Sequence, residues 1–291
     1  DVVRVASRSV RPDVDLQGAD FSTDVMDLLS DSRIDLIVEL IGGETLAKQL
    51  IVGALSNGKA VVTANKAVIA LYGNELSRQA LRFEAAVAGA IPIIHALQQG
   101  LVANRFTAVS GIINGTCNYM LSAMEEEGVG FDEILERAQT LGYAEADPTF
   151  DVDGIDAAHK LTILMALAFG TQFEFAKVYV EGIRAITLTD ISYAAELGYR
   201  IKHLGILRSN PDGIEARVHP TLVPHGELVA HVNGVLNAVQ VVSDAAGKTL
   251  FSGPGAGGAA TASAVVADIV GTALNADQIV ADPVANMSKV I

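Results

Sequence analysis

The densest set of groups able to move protons or hold charge lies between Gly142 and Lys160, in GYAEADPTFDVDGIDAAHK. Glu145, Asp147, Asp151, Asp153 and Asp156 crowd the middle of this stretch. Asp156 and Lys160 are four residues apart, which places them on one face of a helix beginning near Ile155. Two readings are open: a solvated acidic loop with a surface ion pair worth a few tenths of a kcal/mol, or a site. The residues after Lys160, LTILMALAFG, are apolar on all sides and predict a buried helix. A lysine at the mouth of such a helix is partly stripped of water, while acids beside it favour its charge. That balance suits an amine passing a proton to or from an alcohol or aldehyde oxygen. The nearby carboxylates suit a substrate ammonium, so an amino-acid substrate fits on charge alone.

A second lysine, Lys66 in TANK, follows a predicted parallel strand, where ligands of open α/β sheets bind. A lysine that merely opens a helix after a turn is the other reading. Cys117 stands near a helix start, where thiol pKa values fall. With no histidine partner signalled, it is read as packing. His219, His225 and His231 recur across a segment broken by Pro224, which is strand-like rather than a metal-ligand spacing. GPGAGG at 253–258 precedes an apolar helix over 261–274. This is either a phosphate- or amide-binding corner or a tight interdomain turn.

The elements that must hold these groups follow a rhythm. Strands are predicted at 2–6, 34–40 and 60–63, with helices at 44–57 and 75–83 and a further strand at 84–88. Strand and helix alternate as in a parallel dinucleotide-binding sheet. From about residue 105 the pattern changes. A strand at 106–113 is followed by helices at 116–127, 131–141 and 155–169. Paired strands at 199–207 and 214–222 flank the turn Asn210-Pro211-Asp212-Gly213, and 229–242 adds strand propensity. The expected fold is α/β: a Rossmann-type nucleotide-binding domain over 1–105, completed by about 253–275, plus an α+β substrate and dimerisation domain over 106–252. Residues 276–291 form a tail.

Bulk properties remove other classes. The 291 residues carry a formal net charge of −14, the wrong sign for nucleic acid. No apolar run reaches the roughly 18–20 residues of a membrane helix. A single cysteine suits a reducing cytoplasm and excludes an internal disulfide framework.

Six segments together resemble the homoserine dehydrogenase family: TANK (63–66), FEAAVAGAIPII (83–94), SGIINGTCNYML (110–121), LGYAEADPTFDVDGIDAAHKL (141–161), EARVHPTLVP (215–224) and GPGAGGAATA (253–262). The resemblance covers nearly the whole chain and implies reversible hydride transfer between NAD(P)H and L-aspartate 4-semialdehyde, giving L-homoserine, in the biosynthesis of threonine, methionine and isoleucine. Lys160 resembles the lysine that exchanges a proton with the substrate oxygen, Asp156 the acid beside it, and Lys66 a second active-site lysine. Glu145 resembles the glutamate that holds the substrate amino group, and Asp151 a further substrate-site acid. Gly115 and Thr116 fall in the substrate-binding part of the third segment. Gly142 and Gly257 resemble backbone positions lining the nicotinamide, and Ile41-Gly42 a loop over the cofactor. Glu84, Val87, Gly89 and Ile91 match a monovalent cation site, usually sodium, for which hard oxygen ligands are suited. A homodimer is implied.

Two departures qualify the resemblance. The glycine-rich GxGxxG loop is absent, so the first βα unit of the Rossmann fold is expected to be missing; a polypeptide truly starting at Asp1 should bind cofactor poorly. No C-terminal regulatory domain is recognisable before Ile291. Where NAD enzymes end the second strand in an acid, this chain has Ser7-Arg8, and arginine favours the 2′-phosphate of NADP over NAD. A non-catalytic nucleotide- or amino-acid-sensing dimer of the same fold is the competing reading. The joint presence of Lys66, Glu145, Asp156 and Lys160 speaks against it.

Overall fold

The computed structural model describes residues 1–274, so the tail assigned to 276–291 lies outside the described residues. In the first part, β1 (Arg4–Ala6) pairs in parallel with β2 (Asp20–Ser22). After the short α1 (Asp27–Ser30), strands β3 (Leu36–Glu39), β4 (Ala60–Thr63) and β5 (Leu81–Arg82) form a three-stranded parallel sheet. Its crossovers are α2 (Thr45–Ser56) and α3 (Lys66–Tyr72). Arg33 bonds both Asp20 and Asp31, and Arg4 reaches Asp31, which ties the β1–β2 pair to the segment entering β3.

The second part is built on six strands in the order β11-β10-β6-β8-β9-β7. These are β6 (Phe106–Ile112), β7 (Tyr179–Val180), β8 (Tyr199–Asn210), β9 (Gly213–Pro224), β10 (Leu236–Ser243) and β11 (Gly247–Pro254). All neighbours run antiparallel except β7 and β9. The helices are the one-turn α4 (Ile93–His95), α5 (Gly115–Glu127), α6 (Phe131–Thr140), the one-turn α7 (Thr149–Val152), α8 (Ile155–Phe169), α9 (Leu188–Glu196) and α10 (Gly258–Leu274). The expected combination of a parallel Rossmann-like sheet with an α+β unit is the fold observed.

Helix α8 is the axis of the molecule. Its sequence lacks proline and internal glycine, and its C-terminus is closed by Gly170 in the left-handed conformation, whose N–H bonds Ala166 O. Ala157, Leu161, Leu164 and Met165 are buried in the largest apolar cluster, which also takes in Leu50 and Ile51 of α2, Ile69 of α3, Val109 of β6, Val218 of β9 and Val239 of β10. One core therefore runs through both parts of the chain. Fully burying an aliphatic side chain of this size contributes about 1.5–3 kcal/mol.

Two local expectations are corrected. Residues 75–83 are not a helix: the helix is α3, and a 3-10 turn over Gly73–Glu75 leads to β5. The stop has a cause, because the Asn74 side chain bonds the backbone of Phe173 through both donor and acceptor. Residues 84–88 are not a strand but a 3-10 turn over Glu84–Ala86, followed by left-handed Ala88 and Gly89. Here the Glu84 carboxylate accepts from the Ile94 and His95 amides and pulls the chain out of extension. Within 229–242, a 3-10 turn over Leu228–His231 precedes β10. The capping box of Thr187 and Asp190 that starts α9, and the strand β11, were not anticipated.

The α8–sheet contact is tight at Gly205 of β8, where a Cβ would meet Ile113 Cδ1 and Leu161 Cδ1, each at 2.9 Å. Gly205→Ala should therefore lower stability by about 1–3 kcal/mol, read by chemical denaturation. An unchanged midpoint would mean that this packing is looser than the structure shows.

Candidate active site

The carboxyl ends of β3 and β4 lie side by side, paired in register through Glu39 and Thr63. Glu39 is buried, and one carboxylate oxygen accepts from Thr63 Oγ1 at 2.5 Å while the other accepts from the amides of Ile41 (2.9 Å) and Gly42 (3.3 Å). This fixes the exposed loop Ile41–Gly43, in which both glycines are left-handed. Asn65 then joins two elements: its Nδ2 donates to Gly43 O at 2.7 Å, and its Oδ1 caps α3 by accepting from Val68 N. Lys66 is the first residue of that helix and so projects from the strand-end crevice.

Helix α8 brings the partners. Lys160 Nζ donates to Asp156 Oδ2 at 2.7 Å and to Ile113 O at 2.8 Å. Lys66 Nζ meets the other oxygen, Asp156 Oδ1, at 2.9 Å. Asn114, the residue after Ile113, donates from Nδ2 to Asp156 Oδ2 (2.9 Å) and Asp151 Oδ1 (2.8 Å), while its Oδ1 caps α5 by accepting from Cys117 N. Burial works to raise the Asp156 pKa, but the charges of Lys160 and Lys66 and their hydrogen bonds overcome it and hold the carboxyl well below the usual range. Asp151 is pushed the other way by burial and by the Asp156 charge, against its bond from Asn114. Lys66 also stands 5.5 Å above the Phe150 ring, a cation–π contact.

An ammonium has three donors and no acceptor. Two of those on Lys160 are committed to protein oxygens, which leaves one for a substrate oxygen. A second ammonium on the same carboxylate adds positive potential where an alkoxide would form.

The structure draws Lys160, Lys66, Asp156 and Asp151 into one network. Gly115 and Thr116 open α5 beside it, and Thr116 Oγ1 donates to Tyr143 O at 2.6 Å. Gly142 is left-handed and exposed at the start of the loop leading to Glu145. Gln139 Nε2 holds that loop through the carbonyls of Glu145 and Ala146, and the Glu145 side chain is exposed outside the network. Gly257 is left-handed at the entry to α10. Arg8 is exposed beyond β1 and takes no part in the lysine–aspartate network. Cys117 is buried, donates to Asp151 O, and has its thiol pushed well up by burial, in keeping with packing rather than nucleophilic attack.

Sequence reasoning missed Asn114, Asn65, Glu39 and Phe150. For the two asparagines a signal was present: each stands just before a helix, the N-cap position.

Glu84 is 6% exposed, and burial, joined by the neighbouring Asp268, pushes its carboxyl up to about 7 against the bonds from Ile94 and His95. Val87 and Ile91 are buried nearby and Gly89 is left-handed. Among the described residues no three His, Cys, Asp or Glu side chains cluster to hold a metal. A cation here would rest on one carboxylate and main-chain oxygens. A buried acid beside a second acid fits such an ion. No helix of the described residues is long and apolar enough to cross a membrane.

Comparisons with known proteins agree with this architecture. A family model described as homoserine dehydrogenase, NAD binding domain, matches residues 1–89, and one described as homoserine dehydrogenase matches residues 92–270. Homoserine dehydrogenase of Pseudomonas aeruginosa is 54% identical over 276 residues, covering 93% of this chain and 64% of the relative. That of Neisseria gonorrhoeae is 54% identical over 258 residues, covering 87% and 59%. The chain thus spans about three fifths of the length of these curated relatives. The crystal structure of a homoserine dehydrogenase from Thiobacillus denitrificans superposes with a TM-score of 0.92 at 50% identity, covering 99% of this chain and 71% of that one. A hyperthermophilic archaeal homoserine dehydrogenase in complex with NADPH gives 0.74 at 27% identity, covering 87% and 75%. With both halves of the chain matched in order, it belongs to the homoserine dehydrogenase family.

Proposed function

We propose that the chain carries the catalytic apparatus for reversible interconversion of L-homoserine and L-aspartate 4-semialdehyde with NAD(P)H. The observation that carries this reading is the single buried carboxylate, Asp156, shared by Lys160 and Lys66 at the crevice between the parallel strand ends and α8. The bound dinucleotide would supply or accept the hydride. The remaining work falls to side chains. Lys160 gives its uncommitted proton to the carbonyl oxygen as that oxygen gains charge, and takes it back in the reverse direction. Lys66 adds a second positive charge near the same oxygen. Asp156 holds both ammonium groups in place, while Asn114 holds Asp156. Asp151, tied to the network through Asn114, and Glu145, by resemblance, are assigned to the substrate ammonium.

The dinucleotide is assigned to the loop Ile41–Gly42, Lys66, Gly142 and the turn at Gly257. The left-handed glycines of the Ile41–Gly43 loop let backbone approach a ligand closely, and the N-terminus of α10 fits polar and anionic groups. Arg8 is assigned to the 2′-phosphate, which favours NADP. Glu84, with carbonyls of Val87, Gly89 and Ile91, is assigned to a monovalent cation, sodium by resemblance. A cytoplasmic homodimer completes the reading.

The defining assay is homoserine-dependent reduction of NADP and of NAD, followed by nicotinamide absorbance, in the full-length protein beside Lys160→Ala. Wild-type turnover, faster with NADP, and a loss of about 10²–10⁴-fold in a folded variant are expected. An inactive wild type would remove the proposal.

Linkage predicts a pH signature. The Asp156 pKa is depressed in the folded chain, so its stabilisation is present above the ordinary value of 3.8 and lost as the pH falls through the lower folded value. Asp156→Asn should be less stable at neutral pH, and the difference from wild type should shrink in acid. A gap that stays constant down to acid unfolding would contradict the network.

For the cation, thermal midpoints in sodium chloride should exceed those in choline chloride at matched ionic strength. Glu84→Gln should abolish the difference; an equal midpoint in both salts for the wild type would empty the assignment.

A further inference from the structure

Asn237, near the start of β10, is 1% exposed, yet neither its Oδ1 nor its Nδ2 has a hydrogen-bond partner. Leaving a buried polar group unmatched costs on the order of 1–3 kcal/mol. A leucine would fill similar space without that cost. The carboxamide lies flat against the glycine-rich turn: a Cβ on Gly255 would overlap its Cγ, Nδ2 and Oδ1. The turn is gripped from the opposite side as well. A Cβ on Gly89 would run into the Gly255 carbonyl, and Ala90 N donates to Pro254 O at 3.0 Å. On a third side is Gly115, whose Cβ would stand 3.7 Å from Asn237 Oδ1. Gly115 directly follows Asn114, which holds Asp151 and Asp156.

The turn opens the 17-residue helix α10, and its first N–H groups have no partner within the helix. Residues 256–259, which form this entry, are exposed. A helix N-terminus with free amides, a left-handed glycine at its mouth and a buried, unmatched carboxamide aimed into its backbone is a poised binding corner.

We propose that Asn237 is a positioning residue that sets the Gly253–Gly258 turn in the shape that receives the dinucleotide, its carboxamide gaining hydrogen-bond partners as the turn closes. This rests on the assignment of the dinucleotide under Proposed function. Asn237 acts through Gly255 and does not itself reach the ligand, since its amide atoms are screened by the turn.

The test is equilibrium titration of full-length protein with NADPH, read by nicotinamide fluorescence, alongside thermal melting. Asn237→Leu should weaken NADPH binding by about tenfold, the scale of one buried hydrogen bond, while its melting temperature stays at or above that of the wild type. Unchanged NADPH affinity would overturn the proposal, as would a loss of affinity matched by an equal loss of stability. A two-residue cycle keeps the test open if the leucine variant misfolds. Gly255→Ala should weaken binding, and adding Asn237→Ala to it should cost no more, because both changes act on one contact. Additive losses would overturn the coupling. Homoserine turnover by the wild type is measured in the same preparation. NADPH binding without turnover would defeat the reaction proposed above and leave the Asn237 result standing; no NADPH binding at all would defeat both.

Discussion

Asp156 is the constraint on which the rest of the site depends. A carboxylate this deeply buried is strongly disfavoured as an ion, and two ammonium groups this close would repel one another. Each problem is the solution to the other. The carboxylate holds Lys66 and Lys160 together, and they keep it ionised against its burial. The arrangement needs both lysines to arrive from different elements, one from α3 and one from α8. The parallel sheet and the buried helix must therefore be fixed relative to each other to well within a hydrogen-bond length. Asparagine side chains supply that fixing: Asn65 pins the loop after β3 to α3, and Asn114 pins the α5 entry to both acids.

The surroundings answer the same requirement. Helix α8 is apolar beyond Lys160 because it packs into the core shared by both parts of the chain, and its first two turns, which carry Asp156 and Lys160, reach the crevice. Gly154, left-handed ahead of that turn, packs against Val180 and His203, so a side chain there would meet both strain and contact. His159, next to Lys160, is sandwiched near Phe150 and Phe175, and burial lowers its pKa. It backs the ring over which Lys66 stands. The polar groups of the crevice thus rest on an aromatic layer whose inner members are the buried His159 and the half-buried Phe175, while Phe150 is exposed at the rim.

Much of this was legible in the chain. The i, i+4 spacing of Asp156 and Lys160 followed by an all-apolar run marked a helix with one wet end, and that helix is α8, residue for residue. Strand β4 was legible as the run AVVT, whereas Lys66 after it read equally as a lysine opening a helix until Asp156 is seen against it. What the sequence concealed was long-range. Residues 75–83 look helical by apolar spacing, but Leu81 belongs to a strand beside β4 and Asn74 is tied to Phe173, ninety-nine residues away. EAAVA reads as extended until Glu84 is seen capping a turn ten residues on. The bond from Asn114 to Asp156 spans forty-two residues, and no local pattern encodes it.

The continuity of the apolar core has a consequence for modularity. Leu50 and Ile51 of the first part and Val218 and Val239 of the second share one cluster with α8 between them. Separating two halves joined this way would expose apolar surface on both, because part of the interior of each belongs to the other. The loops Ile41–Gly43, Gly142–Asp147 and Gly253–Gly258 are the short segments at the crevice rim that lie outside this core. Substitutions in those short segments alter the rim without disturbing the shared interior.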